Sequence, residues 1–428
     1  MNKKFLSVIF FGAVLAMSLG SCKNEIDDVF DQDAAARMNT ALSTYKDVLT
    51  APSSGWAMEY FATDAEQGYT FLMKFDKNGS VNIAAKNTYT SNKMAQETSL
   101  YQFIGDDGPV LTFNSYNNLF HRFSTPEAID GKSNGVGHGG DYEFIVMNAS
   151  ADSVKLQGKK VGYTQYLYPI PSGTSWEDYF NQLDTIDAKM FSPKLPTLWL
   201  NTANGKRYTI GNASTHYLSF VPDGGDAISQ TTYAAGIVTH DGFRFCKPYQ
   251  GLDSTFKVQK FVQQTDGTLL CTDDGKSTIT APYLDSLLVT KTLAWQIEPS
   301  TLGGDFVKAY NDVVTGCNTS FKTVFQYMQL RYDGASKNYE LLFKNGKYTG
   351  KLYIGVTTSG TDKVSYTFAD DGDNNGKVHL TRVAAFKTFM TLLTSSGYTL
   401  SATSTIAPTR VKFTSDANSS NYFYVDVQ

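Results

Sequence analysis

The spacing of apolar residues divides the chain into segments of helical period and segments with the period of two that is typical of strands. Short alternating runs, ended by glycine, asparagine or aspartate, predict strands through most of the sequence. Asn78 and Gly79 between two of these runs predict a tight hairpin, because both residues tolerate a positive φ. Helices are predicted over Asp33 to Leu49, Ser175 to Met190, Asp305 to Val314 and Arg382 to Leu393.

A helix followed by a run of strands occurs three times along the chain, which suggests a repeated β unit. A twisted sheet with one apolar face must cover that face, so each meander is expected to curl. The predicted fold class is α+β, mainly antiparallel β, with helix-plus-meander units forming open barrels or sandwiches. The predicted divisions are a signal peptide (1–21), a lipidated acidic tether (22–30) and three units (31–171, 172–300 and 301–428), the last with a strand at Val378 to Leu380.

Composition supports the β-rich interpretation and excludes one class of partner. The 428 residues include 35 Gly, 28 Phe and 26 Tyr, and aromatic side chains suit a half-buried sheet. The formal net charge is −4, so the protein lacks the basic field that follows a phosphate backbone. We therefore expect no nucleic-acid partner.

The first residues have the features of a secreted lipoprotein. Lys3 and Lys4 precede an apolar run from Phe5 to Leu19, which is too short for a comfortable membrane span, although an uncleaved anchor is the alternative. Leu19-Gly20-Ser21-Cys22 looks like a bacterial lipobox, which predicts lipidation at Cys22 and anchoring of the mature protein to the outer membrane.

Catalytic and metal-binding patterns are weak. The five histidines are scattered, and the acid pairs Asp106-Asp107 and Asp273-Asp274 lie beside glycines, as solvated turn residues do. We therefore predict no enzyme activity. Cys246 and Cys271 can pair in an oxidising compartment, but a chain with this much core does not need a disulfide, and buried single thiols are the favoured interpretation.

One segment has the oxygen-rich spacing of a calcium loop. Asp371, Asp373 and Asn375 alternate as calcium ligands do, but Arg382 stands where a bidentate glutamate belongs. The sequence thus leaves two interpretations open, a Ca²⁺ site at these three residues and a hairpin turn at the Asn-Gly pair. No other cofactor is indicated.

The tryptophans are the clearest candidates for ligand contact, because exposed aromatic rings stack on sugars or grip peptides. Trp56, Trp199 and Trp295 are predicted as ligand-binding residues, and Trp176 is a further probe. The alternative for each is packing in the core, where most aromatic residues of β proteins lie.

The chain resembles a family of uncharacterised surface lipoproteins of Bacteroidota. The resemblance rests on the lipobox, the acidic residues after Cys22 and four later segments, and it is clearest over residues 22 to 250. The segments are Ser54-Gly55-Trp56-Ala57-Met58-Glu59-Tyr60, Phe75-Asp76-Lys77-Asn78-Gly79, Leu111-Thr112-Phe113 and Gly139-Gly140-Asp141-Tyr142-Glu143-Phe144.

The resemblance implies a location and a role. Lys23-Asn24-Glu25-Ile26-Asp27-Asp28 is similar to the export signal that places such lipoproteins on the cell surface, although a solvated tether is the alternative. Family members are encoded beside SusC/SusD-like importers, which implies a non-enzymatic accessory that captures glycan or peptide nutrients. A surface hydrolase and a metal or haem capture lipoprotein are the alternative functions.

Overall fold

The computed structural model describes residues 33–428 except 107, 196, 212–214 and 253. In this part of the chain the helices are α1 (Ala34–Thr50), α2 (Trp176–Met190), α3 (Leu284–Leu288), α4 (Asp305–Phe321), α5 (Asn374–Arg382) and α6 (Ala385–Thr394). The first two begin where the sequence predicts, because Asp33 accepts a hydrogen bond from the Ala36 N–H and Ser175 accepts one from the Asp178 N–H. No helix among the described residues is long and apolar enough to cross a bilayer.

The first sheet is a half-barrel of nine antiparallel strands. They are β1 (Trp56–Tyr60), β2 (Tyr69–Phe75), β3 (Ser80–Ala85), β4 (Ala95–Leu100), β5 (Gln102–Asp106), β6 (Gly108–Thr112), β7 (Glu143–Ala149), β8 (Val154–Gly158) and β9 (Thr164–Pro169). Their order is β4-β3-β2-β1-β9-β8-β7-β6-β5, so β4 and β5 are the two edges. Only Tyr101 separates these strands in the chain, so one bent segment supplies both edges of the sheet.

The second sheet closes into a barrel of eight strands. They are β10 (Leu198–Asn201), β11 (Arg207–Gly211), β12 (Tyr217–Pro222), β13 (Thr232–Thr239), β14 (Gly242–Tyr249), β15 (Val258–Gln263), β16 (Leu269–Cys271) and β17 (Thr278–Thr280). Each strand pairs with the next, and β10 pairs with β17. Aromatic and aliphatic side chains such as Phe220, Phe243 and Phe261 are fully buried and pack in one core cluster, as in other filled eight-stranded barrels.

The third sheet is a second closed barrel with helices packed against it. Its strands are β18 (Ala294–Ile297), β19 (Phe325–Asp333), β20 (Asn338–Asn345), β21 (Tyr348–Ser359), β22 (Lys363–Asp370), β23 (Gly397–Ala402), β24 (Arg410–Ser415) and β25 (Tyr422–Val427). Phe306 of α4 makes edge contacts with Phe389 of α6 and Phe423 of β25, with ring centroids 5.8 and 4.9 Å apart. The two helices are therefore part of the same core.

The predicted α+β, mainly antiparallel fold is confirmed, with two differences in the third unit. Strand β18 precedes α4 and belongs to the third sheet, so this sheet begins ahead of the predicted boundary at residues 300 and 301. The strand predicted at Val378 to Leu380 is wrong, because the segment lies in α5. The Asp373 carboxylate accepts a hydrogen bond from the Gly376 N–H at 2.7 Å and so caps this helix.

A buried ion pair joins the first sheet to the second barrel. Arg244 of β14 donates from Nε to the carboxylate of Glu59 in β1 at 2.5 Å, and both side chains are almost fully buried. The guanidinium also lies over the rings of Phe61 and Tyr166, at 5.2 and 4.8 Å from their centroids. Because the barrel packs on β1 here, both faces of this strand are buried, one against its own sheet's core and one against the barrel.

A second charged cluster fastens the long loop between β6 and β7. The His138 side chain is 0% exposed, with Nδ1 2.9 Å from a Glu66 oxygen and Nε2 3.1 Å from an Asp130 oxygen. Arg122 donates from Nε to Asp130 at 2.6 Å, and Lys132 lies 3.0 Å from Glu66. The loop is thus tied to the turn before β2, which carries Glu66.

The contacts in this cluster shift the pKa values of its members. Burial lowers the pKa of His138, but the hydrogen bonds to Glu66 and Asp130 outweigh it, so the pKa is raised above 6.5. Burial raises the pKa of Glu66, and the bonds from His138 and Lys132 reverse that and hold it below 4.5. The Arg122 hydrogen bond holds the pKa of Asp130 below 3.8. Because a carboxylate faces each ring nitrogen, the imidazolium form satisfies both.

The Glu59 and Arg244 pair predicts a double-mutant result. Arg244→Met leaves a buried carboxylate without a partner and should cost about 3–5 kcal/mol, whereas Glu59→Leu with Arg244→Met should recover most of this loss. Thermal and denaturant unfolding measure both. As a control, Arg410→Ala breaks a pair at the surface and should cost less than about 1 kcal/mol. A double variant as unstable as Arg244→Met would contradict this interpretation.

The His138 cluster predicts a pH window for protection of the β6 to β7 loop. The raised pKa of His138 means that its contribution is complete below pH 6.5 and is lost as pH rises through the folded value. The lowered pKa values of Glu66 and Asp130 give contributions that are complete above about pH 4.5 and are lost as pH falls through their folded values. Protection from hydrogen exchange should therefore be greatest between these limits.

Exchange measured across this pH range, corrected for intrinsic rates, tests the window. His138→Gln should remove the loss of protection at high pH. His240→Gln is the matched control, because that imidazole is half exposed and outside the cluster. A high-pH loss that persists in His138→Gln would show that another group causes it.

Candidate functional site

Two of the three predicted ligand-binding tryptophans lie in the core. Trp56 and Trp295 are both 0% exposed, and the Trp56 indole N–H donates to the Leu49 carbonyl at 2.8 Å. They cannot reach a ligand at the surface, so the prediction is wrong for these two residues. Trp176 is half-buried and donates to the Ser54 carbonyl at 2.8 Å, which fixes the start of α2 to the first sheet.

The residues of the predicted calcium loop have structural roles. Asp373 caps α5 and also accepts a hydrogen bond from the Lys351 N–H at 3.1 Å. The Asn375 amide donates to the Thr349 carbonyl at 2.8 Å, and Asp371 is exposed. Because these groups serve the helix and its neighbouring strand, the alternating spacing does not form a coordination shell. Among the described residues no group of three or more His, Cys, Asp or Glu side chains is placed to hold a metal ion.

Asp273 of the acid pairs and the three cysteines of the described residues have structural surroundings, through hydrogen bonds or burial. Asp273 accepts hydrogen bonds from the backbone of Gln259 and Lys260, and Asp107 lies outside the described residues. Cys246, Cys271 and Cys317 are all free and buried, as the favoured interpretation has it. Burial raises the pKa values of Cys246 and Cys317 to about 12 and of Cys271 to about 11, so the thiols stay protonated.

Trp199 is the predicted residue that reaches a surface. In β10, Leu198 and Leu200 point into the second barrel, so Trp199 and Asn201 lie on its outer face. The Arg207 guanidinium lies 4.1 Å from the centre of the indole. Tyr283, which is 47% exposed, meets the indole edge-on with the ring centroids 4.9 Å apart. Trp199 therefore supports an exposed tyrosine.

An open cleft of about 670 Å³ adjoins this aromatic pair. The hairpin between β10 and β11 forms one wall, and the end of β12 with its following loop forms another. Polar side chains with hydrogen-bonding capacity line it beside Tyr283 and the exposed Leu252. These polar residues are Asn201, Thr202, Lys206, Arg207, Asp223 and Gln230.

Internal contacts hold the polar groups of the cleft in place. Arg207 donates to the Asp223 carboxylate at 2.6 Å, and Asn201 donates to Thr280 at 3.2 Å. Gln230 accepts a hydrogen bond from the Asp226 N–H at 2.8 Å, which orders the loop after β12. The donors and acceptors are thus presented by a braced strand end and not by free side chains.

This arrangement suits binding by stacking and hydrogen bonding. An exposed aromatic ring offers a face for stacking, and the amide, hydroxyl and charged groups beside it offer donors and acceptors that can orient a polar ligand. Among the described residues that line the cleft, Asp223 supplies the one carboxylate, and it is paired with Arg207.

The sequence predicted Trp199 as a ligand-binding residue but did not point to its two neighbours, Arg207 and Tyr283. Arg207 is the first residue of β11 and pairs in register with Asn201, so the hairpin brings it diagonally beside Trp199. A cationic residue at this cross-strand position is visible in the sequence once the hairpin is recognised. Tyr283 comes from the segment after β17, and only the closure of the barrel brings it to β10.

The fold and the cleft together define a β-rich protein of three curled antiparallel sheets, with a polar and aromatic cleft on the second. Residues 26–264 match a family described as a domain of unknown function (DUF4302). The match covers more than half of the chain, and the protein belongs to this family. The matched region contains the first sheet, α2 and six of the eight strands of the second barrel, so it includes the cleft residues up to Leu252.

Other comparisons add little to this assignment. No curated protein matches the chain. A DNA polymerase III subunit β sliding clamp from Bartonella birtlesii aligns with 9% identity and a TM-score of 0.13, over 92% of this chain and 97% of the clamp. Transferrin binding protein B from serogroup B Neisseria meningitidis aligns with 10% identity and a TM-score of 0.14, over 86% of this chain and 69% of that protein. Similarity at this level supports no common fold or function.

Proposed function

We propose that the protein is a non-enzymatic, lipid-anchored surface protein that binds a glycan in the cleft beside Trp199. The observation that carries this proposal is the exposed Tyr283 ring, which is supported by Trp199 and flanked by braced polar groups. A sugar ring offers an apolar face for stacking and hydroxyl groups for Asn201 and Gln230. An open cleft also suits a polysaccharide that extends beyond the cleft at both ends.

The composition of the cleft lining favours a glycan over a peptide. Its lining is mostly hydroxyl, amide and paired charged groups, with few apolar pockets that would take peptide side chains. The partners of the protein are then the outer membrane, through an acylated Cys22, and a SusC/SusD-like importer of the kind found in Bacteroidota. Attachment to the same membrane raises the effective concentration of weakly bound glycan near the importer.

Loss of the Tyr283 ring should weaken glycan binding. Affinity electrophoresis of the full mature chain through gels containing amylopectin, xylan, polygalacturonate or mucin tests this. At least one polysaccharide should retard the protein, and Tyr283→Ala should weaken that binding about fivefold, since a ring contact is worth about 1 kcal/mol.

Tyr233→Ala is the matched control, because this tyrosine is 53% exposed on the same barrel but does not line the cleft. It should bind as the unchanged protein does. If no polysaccharide retards the protein, or if both tyrosine variants behave alike, the cleft is not a glycan site. If peptides of a casein digest bind, and Tyr283→Ala loses that binding, the ligand of the cleft is a peptide and not a glycan.

The anchoring proposal rests on Cys22, which lies outside the described residues. In cells that process lipoproteins, Cys22→Ala should abolish labelling by a fatty-acid probe and move the protein from the membrane to the soluble fraction. Protease accessibility on intact cells reports surface exposure. An importer should co-purify with the unchanged protein from the membrane. A Cys22→Ala protein that remains membrane-bound and labelled would contradict anchoring at this residue.

A further inference from the structure

A smaller pocket lies where the first sheet, α2 and the second barrel meet. Its volume is about 250 Å³, and its lining comes from the start of β2, the segment after β3, one side of α2, the residue before β12 and the end of β13. It is distinct from the open cleft beside Trp199 and Tyr283 (the Trp199 cleft). His216 precedes β12 and Asp223 follows it, so the two sites lie at opposite ends of a six-residue strand, roughly 20 Å apart.

Two backbone hydrogen bonds fix the frame of this pocket, one between the two units and one within the barrel. The Gly68 N–H donates to the Gly236 carbonyl at 2.8 Å, and the Gly236 N–H donates to the His216 carbonyl at 2.8 Å. A Cβ at Gly68 would lie 2.8 Å from both Ile237 and Phe61, so only glycine permits this approach. The pocket is therefore set by main-chain pairing between the first sheet and the barrel.

His216 is held at the pocket in an uncommon conformation. Its φ is +52°, in the left-handed region that few residues other than glycine, asparagine, aspartate and histidine adopt. The ring packs edge-on against Phe191, and Nε2 lies 2.8 Å from an Asp187 oxygen. Nδ1 makes no hydrogen bond with any residue that the structure describes, so it can accept a bond from a ligand hydroxyl when Nε2 donates to Asp187.

A second charged group of the pocket is Lys86, which is half-buried and follows β3 of the first sheet. Its ammonium pairs with Asp184 of α2 and donates to the Asn181 amide oxygen at 3.3 Å. An ammonium has three donors, so one remains for a ligand oxygen. Asp187 and Asp184 bring two negative charges against the one positive charge of Lys86, which disfavours an anionic ligand.

Further polar side chains line the pocket, and the rest of its lining is apolar; these polar residues are Gln67, Thr70, Asn87, Thr88 and Asn92. Phe180 and Leu183 of α2 and Ile237 of β13 are buried and line it together with Tyr69. Small-molecule sites commonly combine an apolar surface with a few fixed polar groups, and they occur preferentially between domains. The size, the mixed lining and the charge suit one uncharged pyranose ring with its hydroxyl groups.

We propose that this junction pocket binds a single neutral sugar unit, with His216 and Lys86 as its hydrogen-bonding partners. The inference rests on the proposed glycan-binding function and adds a second site for the same class of ligand. The Trp199 cleft takes a length of glycan by stacking, whereas the smaller junction pocket has room for one ring. Because the pocket is built from both units, its occupant contacts the first sheet and the barrel at once.

Titration of the mature protein with single sugars tests the proposal. Saturation-transfer NMR and calorimetry with glucose, galactose, mannose and N-acetylglucosamine should show at least one of them binding at one site, and galacturonate should bind at least tenfold more weakly. His216→Asn keeps a residue that tolerates the positive φ, and Lys86→Met keeps the length of the side chain. Each should weaken binding of the neutral sugar at least tenfold.

Two measurements separate this result from misfolding and from the cleft. Melting temperatures within a few degrees of the unchanged protein should accompany both variants. Tyr283→Ala should bind the single sugar normally while it loses polysaccharide retardation, so either site can fail without the other. Absence of binding by every neutral sugar would overturn the proposal, as would normal binding by folded His216→Asn and Lys86→Met or tighter binding of galacturonate.

Discussion

The buried pair of Glu59 and Arg244 is the constraint on which the arrangement of the first two units depends. A charge inside a protein is costly unless it is paired, and each of these residues lies on a strand that is buried on both faces. Apolar residues of the same shape could give equal stability, so we infer that the charged pair acts by favouring the docking that brings the two groups together. The sheet and the barrel therefore meet in one register, which also aligns Gly68 with Gly236 and forms the junction pocket.

The three units solve the same problem of sheet edges in different ways. An exposed edge strand offers unpaired backbone groups to other chains. The second and third units avoid this by closing, since β10 pairs with β17 and β18 pairs with β25. In the first unit the chain bends at Tyr101, so that β4 and β5 form the two edges side by side in sequence. The long loop between β6 and β7, held by His138, belongs to this less closed unit.

The tryptophans show how far the candidate site was predictable. Trp56, Trp199 and Trp295 each lie at the start of the first strand of a sheet. Alternation shows which residues of a strand share a face, but it does not say which face turns inward. Trp56 lies on the inner face of its sheet and Trp199 on the outer face of its barrel, so similar positions have opposite exposure. The polar partners of Trp199 come from other strands and could not be assigned without the closure of the barrel.

The sequence by itself determined the local elements of this protein. Apolar spacing and capping residues place α1 and α2, Asn78-Gly79 places a hairpin, and the alternating runs give a mainly antiparallel fold, because these features depend on neighbours in the chain. It did not place α5, where the cap at Asp373 outweighs the strand-like run after it. Tertiary structure decided the closure of the barrels, the pairing of Glu59 with Arg244, and the cleft and junction pocket. These features join residues up to 185 positions apart, and such contacts depend on how whole faces pack against one another and not on local propensity.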